Sequence, residues 1–338
     1  VKKIVETTGA GEREQEIKRA ARAALVKCLR ELYREVQLPW GILTGIRPAK
    51  IIHRLLDRGL DRQTITEVLA GKYLIMPDKI DLILEVAELQ RKYLLEPEQA
   101  KKLVSVYVGI PFCPSRCLYC SFPSYAGDRV KLPEYLRVLK QEIIALGQAL
   151  QTRRIDVQSI YVGGGTPTIL DGEELKSLLD TCNDYLVSGK TVEITVEAGR
   201  PDTLNRVKLQ AMLETGVNRL SINPQTMVRE TLKAIGRNHT PEEIKESVCL
   251  ARQLGFNNIN MDIILGLPGE SIAEVQYTLG EIALLNPDSL TVHALAIKRG
   301  SFLHQANNSR TLPGNEQAAE MQAAASSAAR EMGMRPYY

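Results

Sequence analysis

Leu103-Val104-Ser105-Val106-Tyr107-Val108-Gly109-Ile110 runs directly into Pro111-Phe112-Cys113-Pro114-Ser115-Arg116-Cys117-Leu118-Tyr119-Cys120. The first eight residues are rich in β-branched side chains and read as a strand. The ten that follow carry three of the chain's six cysteines. Three residues separate Cys113 from Cys117, and two separate Cys117 from Cys120. The other cysteines, Cys28, Cys182 and Cys249, are scattered, and they read as small hydrophobes on helices. An extracellular disulfide framework would spread its cysteines along a small chain, so a tight triplet points to metal in a reducing, cytoplasmic compartment.

Outward from this stretch, short β-branched runs alternate with amphipathic helical ones. The remaining strand candidates are Val157–Val162, Thr191–Ala198, Asn218–Asn223, Asn258–Leu265 and Ser289–Ile297. Between them lie helical patterns at Leu132–Leu150, Gly172–Leu186, Thr203–Thr215, Thr240–Leu254 and Glu270–Leu284. Thr240-Pro241-Glu242-Glu243 is a helix start, with a Thr cap, Pro in the first turn and Glu three residues on. Strands alternating with helices predict parallel βα units, closed either as an open doubly wound sheet or as a barrel. In both, ligands bind at the carboxyl ends of the strands. Upstream, Ile17, Ala21, Ala24, Cys28, Leu32 and Val36 recur at helical spacing and predict one apolar helix face. Leu38-Pro39-Trp40-Gly41 breaks that helix, with Trp40 as a packing anchor, and two more helical stretches follow. The domain reading is a helical N-terminal domain over 1–100, an α/β barrel over 101–300, and the start of a C-terminal region over 301–338.

The chain has 338 residues, 44% hydrophobic and 25% charged, with 43 Lys+Arg against 40 Asp+Glu. A net charge of +3 argues against nucleic-acid binding as the main activity. The basic residues from Arg13 to Arg34 alternate with Glu and read as a solvated helix face. No run of about 18 apolar residues predicts a membrane span. The chain does not open on Met, and Met334-Arg335-Pro336-Tyr337-Tyr338 reads as a strand entered and then cut, so it is expected to be a fragment.

Three thiolates on one loop suit a cubane iron–sulfur cluster, with three irons held by protein and the fourth open. A zinc site completed by a distant fourth ligand is the alternative. The other strand ends add polar and glycine-rich chemistry. The second ends in Gly163-Gly164-Gly165-Thr166-Pro167-Thr168, where missing Cβ atoms let backbone approach a ligand. The third ends in Glu197-Ala198-Gly199-Arg200-Pro201, and a carboxylate at the tip of an apolar strand is costly unless it is partnered. Ser221-Ile222-Asn223-Pro224-Gln225, then Arg237 and His239, follow the fourth. The fifth carries Asn260-Met261-Asp262 and ends in Gly266-Leu267-Pro268.

The cysteine spacing resembles the signature of the radical S-adenosylmethionine (SAM) superfamily. Tyr107-Val108-Gly109-Ile110-Pro111-Phe112-Cys113, Gly163–Thr168 and Asp262–Pro268 together resemble the oxygen-independent coproporphyrinogen III dehydrogenases and their relatives. Val196–Asp202 and Leu38–Pro48 resemble the HemZ-like branch, which has a helical region before the barrel. The resemblance implies a partial (β/α)6 TIM-type barrel. It implies a 4Fe–4S cluster on Cys113, Cys117 and Cys120, with SAM chelating the open iron. It further implies SAM contacts from Tyr107, Gly164 and Glu197, and from Gly165, Thr166, Gln225, Arg237 and Asp262. Tyr119 matches an aromatic position beside the cofactors, and Ala296 a position at the sixth strand end. The implied reaction is oxidative decarboxylation of porphyrinogen propionates to vinyl groups in heme biosynthesis, driven by an external low-potential electron donor.

Two departures matter. The dehydrogenases proper have a further Cys where this chain has Phe122, and a His where it has Gly109. Both changes resemble relatives that act as heme chaperones, so heme binding without dehydrogenation is the competing expectation. Arg200, Lys298 and Arg299 are candidates to hold substrate carboxylates, although surface solvation is the plainer reading of each. His239 reads equally as a capping or a substrate residue, and His293 as a core residue on a strand. His53 and His304 carry no signal.

Overall fold

The computed structural model describes residues 10–33, 38–44, 47–127, 129–305 and 312–337. Arg34, Val36, Gly45, Ile46 and Tyr338, on which parts of the sequence reading fall, lie outside the described residues. The chain divides into two compact units, one of residues 1–95 with 335–338 and one of residues 96–334.

The smaller unit is helical: α1 (Ala10–Leu32), α2 (Ala49–Asp57), α3 (Arg62–Lys72) and α4 (Pro77–Arg91). Ile52, Ile65, Leu69, Ile80, Leu84 and Ala87 form its core, with Trp40 packed against them. The expected apolar face of α1 is not the one that docks. Ile17, Ala21, Ala24, Cys28 and Leu32 are exposed. The helix instead uses the stripe of Arg19, Ala23, Val26 and Arg30. Arg19 lies over the Tyr73 ring, Val26 packs on Ile42 and Leu74, and Arg30 donates to the carbonyls of Leu38 and Leu74 at 3.1 and 3.0 Å. Arginines that reach carbonyls and cover an aromatic ring, with Val26 packed between them, here outcompete the stripe that periodicity alone ranks first. Gly41 holds φ +56°, and a Cβ there would lie 2.1 Å from the Tyr73 carbonyl oxygen. The stretch from Gly333 to Tyr337 is not a strand. Tyr337 accepts from the Gln90 amide of α4 at 2.7 Å, and Arg335 reaches Glu85.

The larger unit holds six parallel strands: β1 (Leu103–Ile110), β2 (Asp156–Gly164), β3 (Glu193–Glu197), β4 (Arg219–Gln225), β5 (Ile259–Leu265) and β6 (Ser289–Ala294). They pair in chain order from β1 to β6 as one sheet. Between them run α5 (Leu132–Arg153), α6 (Gly172–Tyr185), α7 (Arg206–Glu214), α8 (Arg229–Ala234), α9 (Pro241–Leu254) and α10 (Ile272–Leu285). The strand between each pair of helical crossovers is parallel, and β1 does not meet β6, so the sheet is a partial (β/α)6 barrel. Thr240 and Glu243 form the expected capping box at α9. Similar boxes start α6 (Asp171 and Glu174) and α10 (Ser271 and Glu274). A further helix of this unit, α11 (Asn315–Glu331), buries Met321 and Ala325 in the same core.

Strand alternation separates stability from chemistry. Val108, Ile110, Ile160, Val162 and Val196 face the helices with Leu175, Leu178 and Leu179. The opposite face of the sheet is polar. Ser105 pairs with Ser159 at 2.8 Å, Arg219 donates to Ser289 at 3.0 Å, and the Asn260 amide donates to Ser221 and Asp262 at 2.9 and 2.6 Å. Tyr107 and Tyr161 stack there at 5.9 Å. His293, expected in the core, is exposed, because β6 is the edge of the sheet and, among the described residues, no further strand covers it. Cys182 is buried, whereas Cys249, like Cys28, is exposed.

Candidate cofactor site

The loop after β1 is held at both ends by backbone. Phe112–Cys113 pairs with Tyr125–Ala126, and the Tyr125 and Gly127 amides donate to Pro111 and Cys113 at 2.8 and 3.0 Å. Its middle is tied to the rest of the barrel. The Leu118 amide donates to the Ile235 carbonyl at 3.0 Å, and Arg116 reaches the Gly300 carbonyl at 2.8 Å while covering the Phe302 ring. Cys113, Cys117 and Cys120 are therefore presented by a fixed loop at the carboxyl end of the sheet, all partly buried. Burial raises the pKa of the Cys120 thiol, and the neighbouring Cys117 and Cys113 raise it further.

The end of β2 is stitched to this loop. Gly165 and Thr166 amides donate to the Ile110 and Phe112 carbonyls, each at 2.8 Å. Gly164 sits at φ +117°, and a Cβ on it would lie 2.9 Å from the Ile110 nitrogen. A Cβ on Gly165 would lie 2.8 Å from Cys113 Sγ. The absent side chains keep the space beside the thiols open.

Glu197 closes the next side. Its carboxylate accepts from the Gly164 amide at 3.3 Å and from the Asn223 amide at 3.1 Å. Burial, together with the charge of Asp262, pushes its pKa up to about 7 despite those two hydrogen bonds. Arg237, 4% exposed, donates to Tyr119 Oη at 3.1 Å, to the Asn223 carbonyl at 2.6 Å and to the Gly199 carbonyl. Burial keeps the Tyr119 hydroxyl protonated even beside that guanidinium. Gln225, at a register shift in β4, holds φ +69°, rare for a residue other than glycine.

One cavity of about 140 Å3 brings these groups together. Cys113, Cys117, Cys120, Tyr119, Gly164, Gly165, Thr166, Glu197, Gln225 and Arg237 all line it. Three expected site residues do not. Tyr107 stands on the polar face stacked on Tyr161, Asp262 is held by Asn260 on β5, and Ala296 lies exposed beyond the end of β6. Seven residues outside the expected cofactor set also line it: Ser115, Arg116, Phe122, Ser124, Gly199, Arg200 and Asn223. Arg200 overturns its surface reading, being 3% exposed and held by Asp202 and Ser115. Its position three residues past Glu197, at a strand's carboxyl end, is the one signal in the sequence that points to it. His239 is buried 3.8 Å from Asp202 with no hydrogen-bond partner on either ring nitrogen.

Among the described residues, no three His, Cys, Asp or Glu side chains converge closely enough to hold a single metal ion. A polynuclear cluster spreads its thiolates over separate irons and needs no such convergence. Arg116 Nε, Ser124 Oγ, Gln225 Oε1 and Arg237 Nε are buried around the cavity without partners. Unpartnered buried polar atoms gathered at one place mark where a polar ligand sits.

A partial parallel barrel with a three-cysteine loop on its first strand and a glycine run on its second defines a cluster-dependent SAM protein. Residues 107–282 match the radical SAM superfamily, and the chain belongs to it. That superfamily uses a 4Fe–4S cluster and SAM, and the residues gathered here fit both. The chain is 43% identical over 302 residues to the oxygen-independent coproporphyrinogen-III oxidase-like protein HemZ of Bacillus subtilis, across 88% of this chain and 60% of that protein. It is 38% identical over 220 residues to the heme chaperone HemW of the same organism, across 64% of this chain and 57% of that protein. Among solved structures it resembles coproporphyrinogen III oxidase HemN of Escherichia coli, with a TM-score of 0.62 and 28% identity over 68% of this chain and 53% of that one. The chain thus spans no more than about 60% of the curated relatives named here. Among the described residues no helix is long and apolar enough to cross a membrane.

Proposed function

We propose that this chain is the radical-generating core of a coproporphyrinogen III dehydrogenase-like oxidoreductase. The observation that carries the reading is the single cavity in which three thiols, an open glycine run and a neutralisable carboxylate meet. The likeness to HemZ and HemN supports a porphyrinogen as substrate. Cys113, Cys117 and Cys120 would hold the cluster, and Gly164, Gly165, Thr166, Glu197, Gln225 and Arg237 would hold SAM. Held by these residues, a cluster and SAM would together supply one-electron chemistry that yields a hydrogen-abstracting carbon radical. Everything else falls to the chain. Backbone at Gly164 and Gly165 approaches the ligand where a side chain would block it. Glu197 sits at a pKa where it can accept from ribose or amine groups or keep its own proton. Arg237, pinned by two carbonyls and Tyr119, provides fixed positive charge. The propionate would lose a hydrogen atom from its β-carbon, then carbon dioxide and one electron, leaving a vinyl group. The electron that cleaves SAM would come from an external low-potential donor in a reducing compartment, and the separate electron released as the vinyl group forms would pass to an external one-electron acceptor.

Phe122 favours a second reading. It lines the cavity and is 66% exposed, at the position where the dehydrogenases carry a cysteine. With the likeness to HemW, it supports a heme chaperone on the same scaffold. Anaerobic reconstitution with iron and sulfide, followed by reductant, SAM and coproporphyrinogen III, separates the two. Substrate-dependent 5′-deoxyadenosine and a vinyl product support the oxidoreductase. SAM binding without turnover, together with stoichiometric heme binding, supports the chaperone and overturns the first reading.

A further inference from the structure

Arg200 is buried and fully engaged. A guanidinium has five N–H donors in a rigid fork. Here Nε and Nη2 donate to the two oxygens of Asp202, each at 3.1 Å. Nη1 and Nη2 both donate to Ser115 Oγ, each at 3.2 Å. The second Nη1 proton reaches Cys117 Sγ at 3.9 Å. All five donors therefore have acceptors, and three of the contacts go to the cysteine loop, 83 to 85 residues away in the chain. The side chain is 4% exposed, so turning away would strand buried polar groups. Burial alone would raise the Asp202 carboxyl, but the Arg200 fork beside it holds it well below the usual range, so the pair is an ionised one.

We propose that Arg200 is a positioning residue that sets the reduction potential of the cluster through Cys117. The inference rests on the cluster reading above and goes beyond it by assigning a residue that holds neither SAM nor iron. Reduction adds one negative charge to the cluster. A buried cation that donates to a ligand sulfur stabilises the reduced state more than the oxidised one and raises the potential. Asp202 opposes this, because its negative charge lies on the far side of the same guanidinium. The two residues therefore act with opposite sign, which simple structural support would not produce.

The test reconstitutes the full chain anaerobically with iron and sulfide and follows the reduced cluster by EPR during a redox titration. Wild type, Arg200→Gln, Arg200→Lys and Asp202→Asn are compared, with iron and sulfide counted per chain. Arg200→Gln is expected to disfavour reduction about tenfold, a shift of about 59 mV to more negative potential for a one-electron couple. Arg200→Lys keeps the charge but loses the fork, so it falls between wild type and Arg200→Gln. Asp202→Asn is expected to shift the potential to more positive values. An unmoved potential in Arg200→Gln at full iron content overturns the proposal. If Arg200→Gln loses its cluster, the other two variants decide, and shifts of the same sign in both overturn it. A wild-type chain that forms no cluster overturns the cofactor reading itself, which is a different result from a normal cluster with an unmoved potential.

Discussion

Glu197→Gln is expected to stabilise the barrel unit, and to do so only as pH rises. Burial and the Asp262 charge lift the Glu197 pKa from the ordinary 4.5 to about 7. Between those values the folded chain holds a proton that the unfolded chain has released. The folded state therefore binds more protons, and stability falls as pH rises across this window. At about 1.36 kcal/mol per pH unit, the loss reaches at most about 3 kcal/mol above pH 7. Glutamine cannot ionise, keeps an oxygen for the Gly164 amide and escapes that loss. The difference between variant and wild type should be small at pH 4.5 and approach its full size by pH 8. Native-state hydrogen exchange at the β3 amides of the cluster-free chain reads the barrel unit. Fluorescence of Trp40, the one tryptophan, reads the helical unit and should not move. Asp262→Asn removes the second cause and should shrink the difference. A variant whose advantage over wild type is the same at pH 5 and pH 8 refutes the reasoning.

Other outcomes follow from the same geometry. Cys117→Ala should abolish the brown cluster absorption after reconstitution, and a normal cluster spectrum in that variant would contradict the ligand assignment. Gly165→Ala places a Cβ 2.8 Å from Cys113 Sγ, so it should lower iron content and SAM binding, measured by iron assay and equilibrium dialysis, while leaving the far-UV spectrum intact. Gly41→Ala must adopt φ +56° and meet the Tyr73 carbonyl, costing the helical unit about 1–3 kcal/mol, read as a lower urea midpoint by Trp40 fluorescence.

The strands and crossover helices were legible because each is a local pattern: β-branched runs, helical spacing, and caps such as Thr240 with Glu243. The cysteines and the glycine run were legible because loop chemistry is read in order along the chain. What sequence order conceals is contact between distant segments. Arg200 looks like any solvated arginine until Ser115 and Cys117 are seen beside it, across 85 and 83 residues. The docking face of α1 misled for the related reason that periodicity ranks a stripe by its apolar residues and does not weigh two arginines that reach carbonyls and a ring. Ala296 followed from position in the resemblance alone, and β6 ends before reaching it.

The local rules of folding are broken together, at one place. Gln225 holds a left-handed backbone, Glu197 an unfavourable carboxylate, and Arg237 a buried unpartnered nitrogen. Each costs stability, and strain of this kind persists only where surrounding structure over-determines it. The support is visible: the backbone bonds of Gly165 and Thr166 to β1 and its loop, the three contacts of Arg237, and the apolar layer behind the sheet. Because strand alternation puts that apolar layer on one face and the polar groups on the other, the core carries the site without being interrupted by it. A ligand that donated to Gln225 Oε1 and accepted from Arg237 Nε would satisfy the unpartnered atoms among them. A site whose unpartnered groups would be satisfied by one bound molecule is preorganised for that molecule.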